Sequence, residues 1–386
     1  MSIAKTLVVA LLLPTFANAA GHDRPAGLIR QFRDRNELSN HFASKGYKAK
    51  GGIDKDTADR NEDRARSFPT FSSSFTVNGA KYPYTMVGFP PASGRAANLR
   101  SVIVPLRMNF VYFGPNFDVN HTFEPGPAVV NLVNSPLYQE ADWPNGRGQF
   151  GDQMQRATFW NRMDREHQWH LRMARPRIAR TVDIEVTPET GELQQLGNVF
   201  FGNVLFDFMD SQILTILQFL EFEPDEVPIF VTDGVTNEAL GYHSAFTTSG
   251  QEGQQVLQTF MFTSWLDPAV VDPIFADVST FDHELLEWVN DPYINNIVPV
   301  WRYPPERDPR ASCSFNPFLE VGDPQGNGPT FRDFPAIAVT LKGVTYHLQQ
   351  LALLQWFTDE RPSSAFGGWY SFPDPTSLTE PAVYCK

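Results

Sequence analysis

Residues 283–292 read His-Glu-Leu-Leu-Glu-Trp-Val-Asn-Asp-Pro, and nowhere else does the chain place a metal-binding pair and a general base at helical spacing. At 3.6 residues per turn, His283 and Glu287 share one helix face a turn apart, with Glu284 projecting beside them. Both ends of this helix are marked. Ser279-Thr280-Phe281-Asp282 has the spacing of a capping box, with Asp in place of the preferred Glu, and predicts a start near Thr280. Pro292 drives Asp291 out of the α region and predicts the stop. The result is a helix of about three turns, with Phe281, Leu285, Trp288 and Val289 available to pack inward.

A metal held by His283 and Glu287 needs a third protein ligand. Glu284 would then be the base that takes a proton from a water on the metal, the division of labour expected for hydrolysis. Phe318-Leu319-Glu320-Val321-Gly322-Asp323-Pro324 supplies two carboxylates around a glycine turn. Glu320 is the expected third ligand, with Asp323 and His347 as alternatives; His347 is read as opening a late helix, 346–357. His167 and His170 stand at i and i+3 without a carboxylate pattern and are read as residues of a solvated helix. His243, on a predicted strand, is read either as a packed strand residue or as a contact facing the cleft. The plain alternative for the motif is a solvated helix face carrying Glu284 and Glu287, with His283 as a capping or hydrogen-bonded residue.

His283-Glu284-x-x-Glu287 resembles the zincin metallopeptidase helix, H-E-x-x-H, with Glu287 in place of the second His. The longer string H-E-x-x-E-x-x-x-D-P, followed by E-x-G-D, resembles a group of secreted zincin-like proteins. Further similarity lies in Gly241-Tyr242-His243, Asn295-Asn296, Leu348-Gln349-Gln350, Trp356-Phe357 and Trp369-Tyr370-Ser371-Phe372, so that it spans roughly residues 71–372. The resemblance implies a metalloprotease-like fold and protease activity on a peptide or protein substrate. The departure at Glu287 has a physical consequence. One His with two carboxylates cancels the charge of a divalent ion, which acidifies bound water less and lowers selectivity for zinc over manganese or another divalent cation.

Residues 1–19 carry Lys5, an apolar run from Leu7 to Leu13 and the small-residue site Ala17-Asn18-Ala19, the pattern of a cleaved secretory signal. Export makes a disulfide between the two cysteines, Cys313 and Cys385, the expectation. Asn120-His121-Thr122 is a glycosylation sequon, used only in a eukaryotic host. With 31 basic against 44 acidic residues, the net charge of −13 repels phosphate backbones and argues against a nucleic-acid partner. No later segment approaches the roughly 18 apolar residues of a membrane span.

Residues 20–70 are polar and weakly periodic, and read as a flexible arm or pro-segment. From Phe71 onward short strands are expected at 82–87, 101–104 and 108–113, then a helical stretch at 152–173 and a strand at 181–186. An amphipathic helix at 204–222 precedes strands at 227–231, 239–246 and 255–262. The expected class is therefore α+β: a β-rich N-terminal region merging, with a subdomain boundary near residue 150, into a zincin-like mixed sheet and active-site helix. The functional expectation is a secreted metal-dependent hydrolase with His283, Glu287 and Glu320 as ligands, Glu284 as base and zinc as metal. The rival is a non-catalytic exported protein of the same fold that binds a wall polymer, glycan or partner protein.

Overall fold

The computed structural model describes residues 28–45, 53–60, 67–164, 166–220, 222–249, 255–302, 313, 317–326 and 336–385. The expected signal segment, 1–19, lies outside them. In chain order the elements that build and position the centre are β1 (Arg30–Phe32), α1 (Arg35–Lys45), β2 (Thr70–Val77), β3 (Ala80–Val87), β4 (Ala96–Phe113) and α2 (Phe150–Thr158). They continue with β5 (Val182–Val186), β6 (Gly191–Leu196), β7 (Val199–Val204), α3 (Phe206–Phe219), β8 (Glu226–Asp233), β9 (Gly241–Ser249) and β10 (Gln255–Trp265). Last come α4 (Ser279–Asn290), β11 (Ile337–Leu341), β12 (Val344–Leu348) and α5 (Leu354–Phe357). The class is α+β, as expected.

The main sheet runs β5-β4-β8-β10-β9. Its first four strands are mutually parallel, and β9 closes the edge antiparallel to β10, with His243 opposite Met261. Seven of the eight residues of β8 are buried, as a strand covered on both faces requires. Alternation along the strand then sorts the core. Ile229 and Val231 face a cluster shared with Phe281, Leu285, Leu286 and Trp288 of α4. Phe230 faces the opposite cluster, with Met209, Ile213 and Ile216 of α3. The two helices therefore cover opposite faces of one sheet.

Strand β4 is a single run of 18 residues where the sequence predicts two strands broken around Pro105. Pro105 makes the last register pair with β8, and pairing with β5 begins at Leu106; a missing N–H costs least at the end of a ladder. The helical stretch expected over 152–173 ends at Thr158, and 170–173 instead forms a strand beside the start of β4. The helix expected over 346–357 is broken up: 346–348 belong to β12, which pairs residue by residue with β11, 351–352 form a further short strand, and only the short α5 is helical.

The polar arm also needs correction. Within residues 20–70, β1 pairs in parallel with β6, and Leu38 and Phe42 of α1 are buried against Phe201, Leu240 and Phe275. Phe32, Leu38 and Phe42 join one cluster, and Ile53, Ala58 and Phe68 another, a few apolar side chains among many polar ones that average composition hides. The subdomain boundary expected near 150 is not seen, because Phe150 packs against Trp143 on one side and Phe372 on the other. The expected disulfide is present: Cys313 and Cys385 are joined, and the tail strand 383–384 pairs with 301–302. No described helix is long and apolar enough to cross a membrane.

Candidate metal centre

α4 spans 12 residues and stops at Asp291, as the proline predicts. The capping box does not form. Val278 is the N-cap, without a side-chain bond, because Asp282 accepts the Gln349 N–H at 2.6 Å instead. Every residue of the helix is buried, including the polar face. Phe281, Leu285, Trp288 and Val289 pack inward as expected, and the Trp288 indole donates to Thr259 of β10 at 2.9 Å. Burying four such side chains contributes on the order of 6–12 kcal/mol, which offsets part of the cost of taking the polar face out of water with them. The solvated-face alternative for the motif is thereby overturned.

Two segments cover that polar face. Residues 317–326 are pinned by Leu319 N–H to Asn296 O, 2.9 Å, and by Ala352 N–H to Val321 O, 2.9 Å. The turn after β12 brings Gln349 onto His283. His283 Nδ1 lies 2.8 Å from Gln349 Oε1. A ring that donates there carries its proton on Nδ1 and directs Nε2 at Glu287 Oε1, 3.0 Å away, and at Asp323 Oδ1, 3.7 Å away. Such an outer acceptor fixes both tautomer and ring orientation. Glu287 Oε1 is held in turn by the Gly322 N–H at 3.1 Å.

The expected trio is divided by this geometry. His283, Glu287 and Asp323 bring ligand atoms within 4.8 Å of one another, so Asp323, the alternative, takes the place given to Glu320. Glu320 belongs instead with His243 and again Glu287. His347 lies elsewhere, on β12, with Nδ1 2.6 Å from Asp277 Oδ2. His170 is not on a helix either; it opens a strand and meets Asp152 at 2.8 Å, a carboxylate that the local sequence does not reveal. The aromatic tail is core, with Tyr370 OH donating to Glu360 O.

Glu284 is held against β9. Its Oε2 lies 3.2 Å from His243 Nδ1, while Oε1 has no hydrogen-bond donor among the described residues, and the Glu320 carboxyl meets only a second acid, Glu287. Burial, then the neighbouring carboxylates Glu287, Glu320 and Asp323, push Glu284 well above the usual carboxylate range. Burial likewise raises Glu287 and Glu320. The same burial depresses His283 to about 4 and His243 to about 3, so both imidazoles are neutral at pH 7. Neutral imidazoles beside buried carboxylates that lack donors are the complement of a divalent cation.

Two glycines make room for these side chains. A Cβ on Gly322 would fall 2.4 Å from His283 Nδ1, and one on Gly241 would fall 2.8 Å from Glu284 Cγ. Gly241 and Gln349 are neighbours of the centre to which the sequence assigns no part in it, while Asp282, expected as a cap, and Gly322, expected only as a turn, act on His283 and Glu287 instead. Comparison with protein-family models, with curated proteins and with solved structures found no match.

Proposed function

We propose that the protein is a secreted, metal-dependent hydrolase of zincin-like type, acting on peptide or protein substrates. The observation that carries the reading is the convergence of His283 Nε2, Glu287 and Asp323 beside Glu284, an acid with a buried oxygen that meets no donor among the described residues. His283, Glu287 and Asp323 would hold the ion, with zinc or manganese as the metals suited to this mixed donor group. When bound, the metal polarises a carbonyl and makes water a better nucleophile at neutral pH.

The residues of the chain do the rest. Gln349 and Asp282 set the His283 tautomer. Glu284, raised by its surroundings and steadied by His243, accepts a proton from the attacking water and returns it to the leaving amine. The order of α3, then β8, β9 and β10, then α4 matches the order expected of a zinc-protease subdomain and supports the reading further. The disulfide fits an oxidising compartment.

Glu284→Gln tests the proposal. It should abolish cleavage of a casein or mixed-peptide substrate while the bound metal, measured by elemental analysis, stays at the wild-type level. Full activity in this variant would refute the mechanism. One observation favours a second reading, a non-catalytic exported protein whose metal is structural: of the site side chains only Asp323 is appreciably exposed, at 13%. That reading expects no hydrolysis with any metal, and retention on an insoluble polysaccharide or a partner protein.

A further inference from the structure

We propose that His243, Glu287 and Glu320 hold a second divalent cation beside the first, with the Glu287 carboxylate bridging the two. This deepens the hydrolase reading and rests on its first site. The three ligand atoms lie within 4.8 Å of one another, and all three residues are buried. Glu320 is the independent sign of a ligand: it is 2% exposed, and the only group its carboxyl meets at hydrogen-bond range among the described residues is a second acid, Glu287. Removing a carboxylate from water without a donor is among the most costly things a fold can do.

His243 poses the same demand from the other side. Nδ1 faces Glu284 Oε2 at 3.2 Å, and Nε2 faces Asp291 O at 3.3 Å and Glu320 Oε2 at 4.0 Å. A neutral imidazole carries one proton, so it can donate to only one side. If Nδ1 donates to Glu284, the Nε2 lone pair points at two further oxygens, and a cation between them turns repulsion into coordination. The carboxylate on Nδ1 is then the outer-shell partner usual for a metal-bound His.

Charge counting agrees. Glu284, Glu287, Glu320 and Asp323 surround one another closely enough to interact, and ionised they carry four negative charges beside two neutral imidazoles. One divalent ion leaves two of those charges buried; two ions leave none. Asp291 and Asp282 belong to neither ligand group: Asp291 accepts from the Asn295 and Asn296 N–H groups, and Oδ2 of Asp282 accepts from the Gln349 N–H. A shared carboxylate bridge places paired ions about 3.5–4 Å apart in sites of this kind. One His with two carboxylates suits manganese or zinc.

The test uses the metal alone. The full mature chain is stripped, dialysed against zinc or manganese, and read by elemental analysis beside Glu320→Gln and Asp323→Asn, with folding checked by near-ultraviolet circular dichroism. Two equivalents in the wild type and one in each variant are expected. Manganese-loaded wild type should give the spin-coupled electron paramagnetic resonance signal of a close pair, and each variant the signal of an isolated ion. One wild-type equivalent, lost in Asp323→Asn and kept in Glu320→Gln, overturns the second site and leaves the first standing. Metal in no sample sinks the hydrolase reading as well. Should Glu320→Gln fail to fold, an isolated-ion signal from saturated wild type still overturns the pair.

Discussion

Replacing Gly322 by alanine adds one methyl group whose ideal position lies 2.4, 2.6 and 2.8 Å from Nδ1, Cε1 and Cγ of His283. An ordinary carbon contact begins near 3.5 Å, so ring and backbone must separate by about 1 Å. Neither side has slack. The ring is fixed by Gln349 Oε1 at 2.8 Å, and the Gly322 N–H is committed to Glu287 Oε1 at 3.1 Å. Separation therefore breaks the bond that sets the tautomer, or pulls the backbone donor off a ligand. Loss of an outer-shell partner typically lowers metal affinity by about 10–100-fold, or about 1.4–2.7 kcal/mol. Overpacking should add about 1–3 kcal/mol of destabilisation in the metal-free protein. Competition titration of zinc against a chelator measures the first quantity, and urea unfolding with the metal removed measures the second. Gly126→Ala is the control, because its Cβ meets nothing within 4 Å. Wild-type zinc affinity in Gly322→Ala would refute the assignment of His283 as a ligand held by this cradle.

Acidity should act on the metal-free protein with a definite sign. Burial raises Glu284, Glu287 and Glu320, so the fold retains protons that an unfolded Glu releases near pH 4.3; that stability is complete below this pH and falls as pH climbs through the raised values. His283 and His243, depressed to about 4 and 3, work oppositely, but only below the unfolded value of about 6.5. From pH 6.5 to 8 the unfolding free energy of stripped protein should therefore drop, by up to about 1.4 kcal/mol per unit for each carboxyl still protonated; Asp282 and Asp233, raised by burial outside the ligand groups, add to the drop, so zinc should reduce it without abolishing it; a flat stripped curve would contradict the burial of these acids. Cys385→Ser opens a disulfide that spans 72 residues of sequence and should cost about 4 kcal/mol by loop entropy. A loss under about 1 kcal/mol would mean that the tail strand, 383–384, holds without it.

The sequence made α4 legible because its signals are local: i, i+4 spacing, a proline stop and an apolar stripe. The same locality misled at both ends of the site. Asp282 has the spacing of a cap, yet binds Gln349, 67 residues on, and no window of sequence contains both. Glu320 and Asp323 are three residues apart and chemically alike, so spacing cannot tell which of them meets His283; the fold of 317–326 over α4 decides it. His243 was visible only as a strand residue. Its partnership with Glu284 follows from the register of β9 on β10, which turns Tyr242 toward α3 and His243 toward α4.

Closure of the centre has a cost that constrains function. The covering segments are tied to each other by a backbone hydrogen bond and to α4 by N–H groups donating to its carboxylates, and Glu284 and Glu320 are buried beneath them. A reacting carbonyl must come within about 3–3.5 Å of its nucleophile, and among the described residues of the ligand group Asp323 is the one with an appreciably exposed side chain. Glu284 lies against Gly241 and His243. The same enclosure strengthens every charge interaction inside it, which compensates for the weaker Lewis acidity of an ion whose charge two carboxylates already cancel.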